Sequence, residues 1–244
     1  MSSYIKEKKQ SEYELRKISQ GVFDKSTLNS LCDLVNKSVI EELVGIVSTG
    51  KESNVYWGWR GGQEIAVKIY CIDASDFRNM ERYIIGDHRF SKWKNKRQLI
   101  YMWAQKEYSN LLRIQGKVKC PHPYAVEKNI LVMSFIGKKG VPAPKLKDLP
   151  PLDPPAFFEK TLQGIKNMYK AGVVHGDLSE YNILNHNEEP VFIDISAGVL
   201  LDHPGASEFL ERDVKNVLAY FRKLRSGTDK KDRDVINWIK KKET

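Results

Sequence analysis

Apolar residues recur at intervals of three and four through Leu28, Leu31, Val35 and Val39, which predicts an amphipathic helix opening at Asp24 or Ser26. Residues 1–44 therefore read as an N-terminal helical extension. From Val44 to Trp59 the period changes to two, with a break at Ser48-Thr49-Gly50, and Gly61-Gly62 marks a hairpin turn before a strand over Glu64 to Tyr70. On that strand Ala66, Lys68 and Tyr70 share one face, and Ile65, Val67 and Ile69 the other. Residues 73–98 are charged and weakly periodic and read as a mobile basic loop. Ile100 to Ile114 is predicted helical, with Trp103, Ala104, Leu111 and Ile114 on one face, and Ile130 to Ile136 reads as a buried strand ending at Gly137.

The second half has a different texture. Pro142, Pro144, Pro150, Pro151, Pro154 and Pro155 cluster in a linker, and Asp153 before two prolines is a helix start. That helix runs from Phe157 to Ala171 and stops at Gly172. Short strands follow at Val173-Val174, Ile183-Leu184 and Val191-Phe192-Ile193, then a helix over Ala206 to Leu224 and a basic amphipathic tail over Lys230 to Thr244. Strands dominate the first half and helices the second, so the chain reads as an α+β protein of two lobes, 45–136 and 137–244.

Composition narrows the class. The 244 residues are 41% hydrophobic and 29% charged, which excludes disordered and fibrous chains. No run approaches the roughly 18 apolar residues of a membrane span, and the first residues lack the apolar core of a secretory signal. Cys32, Cys71 and Cys120 form no C-x-x-C pair, so a zinc site and a disulfide framework are not expected, and a reducing, cytoplasmic setting is. The net charge of +9 favours polyanionic partners such as nucleotide, RNA or phosphorylated protein, without choosing among them.

Gly45-Ile46-Val47-Ser48-Thr49-Gly50-Lys51 fits G-x-x-x-x-G-K, but Glu52 stands where a Walker loop needs Ser or Thr, and strand rather than helix follows. A strand–turn–strand flap over Ser48, Thr49, Gly50, Lys51, Glu52, Ser53, Asn54 and Val55 fits better: the small residues 48, 50 and 53 fall at the glycine positions of G-x-G-x-x-G-x-V. Lys68, inside an apolar strand, is costly to bury unless phosphate or a carboxylate meets its charge, and Ala66 on the same face leaves room for a flat base. Glu107, four residues from both Trp103 and Leu111, projects from the apolar face of its helix and is the natural partner of Lys68. His175-Gly176-Asp177-Leu178-Ser179-Glu180-Tyr181-Asn182 has the H-x-D-x-x-x-x-N spacing of a phosphoryl-transfer loop. Asp177 would orient or deprotonate an acceptor and Asn182 hold a metal; twelve residues on, Asp194 supplies a second metal ligand. His175 reads as a structural hydrogen-bonder.

On these residues, together with Lys106-Glu107, Asp202-His203-Pro204 and the string Phe209 to Val217, the chain resembles the RIO family of atypical kinases, in the wording of its first subfamily, over roughly residues 40 to 222. The resemblance implies a two-lobed protein-kinase-like fold, truncated relative to ordinary protein kinases, with an N-lobe antiparallel sheet and one long helix, a mainly helical C-lobe, and ATP between the lobes. It implies that Lys68 binds the α/β-phosphates with Glu107 as partner, that Met133, Ser134 and Ile136 lie in the adenine-binding hinge, that Asp177 is catalytic, and that Asn182 and Asp194 hold magnesium or manganese. It further implies serine kinase activity with the protein itself as a substrate, ATPase activity through a phosphoaspartate at Asp194, and a role in maturation of the small ribosomal subunit, with that particle or its RNA as partner. Ser134 stands where many relatives have an acidic residue.

Two features bend this expectation. Only 50 residues follow Asp194, with no A-P-E segment, so a peptide-docking platform is not expected; nor is the basic C-terminal extension of eukaryotic relatives, which points to a minimal, archaeal-like form. The residues before the flap are too few for the winged helix of the second subfamily. Two other readings compete: an aminoglycoside-type small-molecule phosphotransferase, which also uses H-G-D and a later I-D, and a nucleotide-switched assembly factor without catalysis. The complete set Lys68, Asp177, Asn182 and Asp194 weighs against the latter.

Overall fold

The computed structural model describes residues 23–72, 77–90, 92–224 and 229–241. They divide into two compact units, one of described residues up to 76 with 93–108 and 123–142, the other of 77–92, 109–122 and the remainder from 143.

The first unit is a five-stranded antiparallel sheet with two helices. Helix α1, Lys25–Asn36, is capped by Asp24, whose carboxylate accepts from Ser26 N at 3.0 Å. Its periodicity continues to Val39, yet the helix stops earlier because Ser38 turns left-handed (φ 56°). Bonds from Val39 N to Leu34 O and Ser38 N to Val35 O then close the end as a Schellman motif. The strands are β1 Glu42–Thr49, β2 Ser53–Arg60, β3 Gln63–Tyr70, β4 Pro123–Glu127 and β5 Ile130–Ser134, in the order β1-β2-β3-β5-β4. The two faces of β3 separate as its alternation predicts. Ile65, Val67 and Ile69 pack with Ile130, Val132 and the α1 residues Leu31, Leu34 and Val35. Ala66, Lys68 and Tyr70 occupy the opposite face. The hairpin β6 Gly137–Lys138 and β7 Val141–Pro142 follows β5.

The reading of 73–98 as a loop needs correction over its described residues. Helix α2, Phe77–Ile84, lies within it, with Met80, Tyr83 and Ile84 buried at the three-and-four spacing that the surrounding charges hide. Helix α3, Lys96–Ile114, starts four residues before the predicted Ile100, at a first turn tied down when Asn95 Oδ1 accepts from Gln98 N at 3.0 Å.

The second unit is mainly helical: α4 Pro154–Lys170, capped by Asp153, α5 Ala206–Lys223, and α6 Asp232–Lys240, where the tail was read only as amphipathic. Val235 and Ile239 of α6 are buried, and Phe158 of α4 stacks at 5.1 Å on Phe221 of α5. Short strands pair as β8 Val173–Val174 with β11 Val199–Leu200 and β9 Ile183–Asn185 with β10 Pro190–Phe192. Residues of the proline-rich linker are fixed against this hairpin, with Leu146 N on Ile183 O at 2.8 Å and Asn185 N on Pro144 O at 2.8 Å.

Candidate active site

In the first unit, β3 and α3 bring Lys68 and Glu107 together. Lys68 Nζ lies 2.8 Å from Glu107 Oε2, with the two side chains 6% and 1% exposed, so the pairing expected from sequence is present and dry. The Tyr70 hydroxyl donates to the same carboxylate oxygen, and its ring lies 5.0 Å from Lys68 Nζ. Sequence reasoning placed Tyr70 on the right face and gave it no role. Val55 pairs with Lys68 across β2–β3, and Ala66 with Met133 across β3–β5, so the flap and the predicted hinge border the lysine. The flap is a tight turn in which Gly50 N bonds Ser53 O at 3.0 Å; Ser48 and Thr49 close β1, Lys51 and Glu52 lie in the turn, and Ser53, Asn54 and Val55 open β2. No helix follows Gly50-Lys51, which excludes the Walker reading. Ser134 pairs with Ile65, Phe135 N bonds Glu64 O at 3.2 Å, and Ile136 lies just beyond β5.

In the second unit, hairpin register explains why residues twelve apart converge. Asn182 directly precedes β9 and Asp194 follows β10 by two residues; Phe192 pairs with Ile183, and Ile193 N bonds Asn182 O at 3.1 Å. Asn182 Nδ2 donates to Asp177 O at 2.7 Å and to its Oδ2 at 3.4 Å, which leaves the amide oxygen Oδ1 as the atom Asn182 can offer a cation. Asp194 sits left-handed (φ 60°, ψ 54°), caps no backbone amide, and accepts from Ser196 Oγ at 3.1 Å. A non-glycine residue in that region carries about 1 kcal/mol of strain or more, which places the carboxylate at the cost of local comfort. His175 Nε2 lies 3.0 Å from Ile193 O, as a positioning group would.

Asp177 and Asp194 are exposed, while the frame that holds them is buried. Gly176 has φ 81°, and a Cβ there would stand 2.6 Å from Ala197 O, so only glycine fits before Asp177. Helix α5 grips this turn on both sides. Asp213 accepts from Gly176 N at 2.7 Å and Leu178 N at 2.8 Å, Arg212 donates to Gly176 O and to the Tyr83 hydroxyl, and Asn216 donates to Leu178 O at 3.1 Å. Below Asp194, Asn110 donates to Ile195 O and Gly198 O at 2.9 and 2.8 Å, and is itself held by Arg89, whose guanidinium also pairs with buried Asp87. None of these supports was assigned a role from sequence. The signal for Asp213 was present: it falls on the apolar stripe Phe209, Leu210, Val214, Val217, as Glu107 does on its own helix.

Burial pushes the Asp213 carboxyl up, against the pull of His175, its two amide bonds and Arg212. Removing it strands two buried N–H groups, so Asp213→Ala is expected to cost roughly 2–4 kcal/mol, with Asp213→Asn, which keeps one acceptor, costing less. Urea denaturation of the two variants checks this; equal and negligible losses would show that the loop does not depend on α5. Asp177 is exposed by area, yet protein atoms crowd its carboxyl, and this desolvation raises its pKa. The Asp194 charge adds to the rise, while His175, Arg212 and the Asn182 bond oppose it.

The donor set suits a hard divalent ion. Among the described residues no group of three or more His, Cys, Asp or Glu converges into a closed metal cage. Magnesium needs none: it keeps waters and takes one or two protein oxygens together with substrate phosphates, and Asp194 with Asn182 Oδ1 matches that demand.

A buried lysine–carboxylate pair beside a small-residue flap, and an aspartate–asparagine loop followed by a second aspartate, define a kinase-type phosphotransferase. The comparisons carry this to a family. The model described as the RIO domain matches residues 54–234. The RIO-type serine/threonine-protein kinase Rio1 of Methanocaldococcus jannaschii is 42% identical over 230 residues, covering 93% of this chain and 79% of that one. Its namesake in Thermoplasma acidophilum is 42% identical over 184 residues, covering 75% and 96%. A solved structure titled as the Rio2 kinase-ADP/Mg2+-phosphoaspartate complex from Chaetomium thermophilum shares the fold, with TM-score 0.68 at 21% identity over 88% of this chain and 67% of that one. The chain belongs to the RIO family of atypical serine/threonine protein kinases.

Proposed function

We propose that the protein transfers the γ-phosphoryl group of ATP, with magnesium or manganese, to serine or threonine hydroxyls, its own among them. The observation that carries this reading is the Asn182–Asp177 bond, which holds the acceptor-orienting carboxylate and the amide oxygen of a metal ligand in one fixed unit beside Asp194. Lys68, held by Glu107, meets the α/β-phosphates; the flap residues 48–55 cover them; Ala66 and the backbone around Met133, Ser134 and Ile136 receive adenine. Asp177 accepts the proton of the incoming hydroxyl or orients it. Bound magnesium neutralises the charge that develops on the phosphoryl oxygens. A family match over most of the chain favours this over an aminoglycoside-type acceptor.

A second reading gives Asp194 a covalent role. It is favoured by the exposure of Asp194 and by the phosphoaspartate named in the Chaetomium structure. A carboxylate oxygen of Asp194 attacks the γ-phosphorus, ADP leaves, and water then hydrolyses the acyl phosphate, returning carboxylate and phosphate. With γ-labelled ATP and magnesium, acid-stable label would be phosphoserine or phosphothreonine, and hydroxylamine-labile label an acyl phosphate. We expect both. Borohydride trapping followed by mass spectrometry that finds no modified Asp194 would remove the covalent reading and leave the kinase reading intact.

The excess positive charge suits a polyanionic partner, the pre-ribosomal small subunit or its RNA, with Lys92, Lys94 and Lys96 as phosphate contacts. The sequence also offers Arg97, Lys240, Lys241 and Lys242: Arg97 is paired with Asp24 at 2.9 Å, Lys240 donates to Ser207 at 2.9 Å, Lys241 follows the last helix, and Lys242 lies outside the described residues. Among the described residues no helix is long and apolar enough to cross a membrane, and Cys32, Cys71 and Cys120 form no disulfide.

A further inference from the structure

The Lys68–Glu107 pair is the end of a longer polar chain whose other end lies outside the matched domain. Glu107 has three rotatable bonds, so something must fix its carboxylate if Lys68 is to stand in one place. The Tyr70 hydroxyl, on the same Oε2, does so. Tyr70 ends β3, where a strand frays unless held, and Asn129 in the β4–β5 turn holds it from both directions. Tyr70 N donates to Asn129 O and Asn129 Nδ2 donates to Tyr70 O, each at 2.9 Å. The second proton of Asn129 Nδ2 goes to Thr27 Oγ1 at 3.0 Å, and the Thr27 hydroxyl donates to Asp24 Oδ2 at 2.7 Å. Thr27, Tyr70, Glu107 and Asn129 are each at most 2% exposed and Lys68 4%, so water replaces no link between Thr27 and Lys68. Asp24 in turn accepts from Arg97 in the first turn of α3, and Ser26 Oγ meets the Tyr101 hydroxyl at 3.3 Å, so α1 also holds the helix that carries Glu107.

The matched RIO domain begins at residue 54. Asp24 and Thr27 lie upstream of it, at the start of α1. We infer that Thr27 and Asn129 are positioning residues for phosphoryl transfer: through Tyr70 they fix the Glu107 carboxylate, and so the phosphate-binding Lys68, which makes the start of α1 a working part of the active site. This rests on the kinase reading of Lys68 given above.

A merely structural role would lower stability without touching the reaction, so the test separates the two. Thr27→Val removes the hydroxyl at nearly constant shape, Thr27→Ser restores it, and Tyr70→Phe cuts the link to Glu107. Each of Thr27→Val and Tyr70→Phe is expected to lower kcat/KM for ATP about tenfold, within the roughly 100-fold that a 1 Å misplacement costs. Thr27→Ser should recover most of it. In the double variant the kinetic losses should not multiply, because both substitutions cut one path. Multiplying kinetic losses, or unchanged kinetics in Thr27→Val with lowered stability, would overturn the inference and leave the kinase reading standing. A wild-type chain that binds magnesium-ATP without turning it over would instead overturn the kinase reading, and this inference with it.

Discussion

Asp177→Asn is expected to lower phosphoryl transfer by about 10²–10⁴-fold while leaving ATP affinity near that of wild type. The substitution keeps the volume and the contact with Asn182 and removes only the charge and the basic oxygen. Rates from γ-labelled ATP, read beside nucleotide affinity, check it; an unchanged rate would sink the assignment. The same carboxyl sets two pH effects. Its folded pKa lies above the usual value of 3.8, chiefly through desolvation, with Asp194 adding to the rise. If Asp177 acts as proposed, the ionised form works, and activity is expected to fall as pH drops, on a limb that lies higher than an ordinary carboxylate would place it. For stability the sign is opposite. A raised folded pKa favours the protonated fold, so its contribution is present below 3.8 and lost as pH rises through the raised value. Asp177→Asn should therefore lose activity at neutral pH without losing stability, the signature of a carboxylate kept for chemistry.

Glu107→Ala has the second large effect, and it falls on both properties. Lys68 would remain buried with its ion pair gone, and breaking one side of a buried pair costs about 3–5 kcal/mol. Turnover should collapse with it, because Lys68 loses the group that fixes its position. Lys68→Ala should be equally inactive, and the double variant no worse in turnover than either single one. Additive losses in that cycle would mean that the 2.8 Å contact has no functional coupling. Isothermal titration of magnesium-ATP against the folded single variants separates lost binding from lost structure.

The placement of the candidate groups was legible in the sequence to the extent that it depends on charge set against pattern. Lys68 in an apolar strand and Glu107 on an apolar helix face each announced an unpaid desolvation, and the structure pairs them. Asn182 and Asp194 were readable because a two-stranded hairpin of fixed register separates them, so spacing translates into proximity, and Asp177 is tied to Asn182 within the preceding loop. The supports were harder to read. Asn110, Asn129 and Thr27 are neutral, and the bonds that give them their place include backbone carbonyls and, between Thr27 and Asn129, a partner 102 positions away, for which periodicity carries no information. Helix α2 was missed because the charged Arg78, Glu81 and Arg82 surround the buried Met80, Tyr83 and Ile84 in the sequence. The early stop of α1 rests on one left-handed residue, Ser38, and a serine does not announce that conformation as a glycine would.

The most direct test of the whole reading is a magnesium titration of the wild-type chain with γ-labelled ATP, following ADP release and protein-bound label together. Both should be absent without a divalent ion, rise together as it is added, and saturate, as expected if Asp194 and Asn182 hold the ion that the phosphates share. Saturable ATP binding with neither ADP nor labelled protein at any magnesium concentration would contradict it, and would make the chain a nucleotide-binding protein with the residues of a kinase and none of its chemistry.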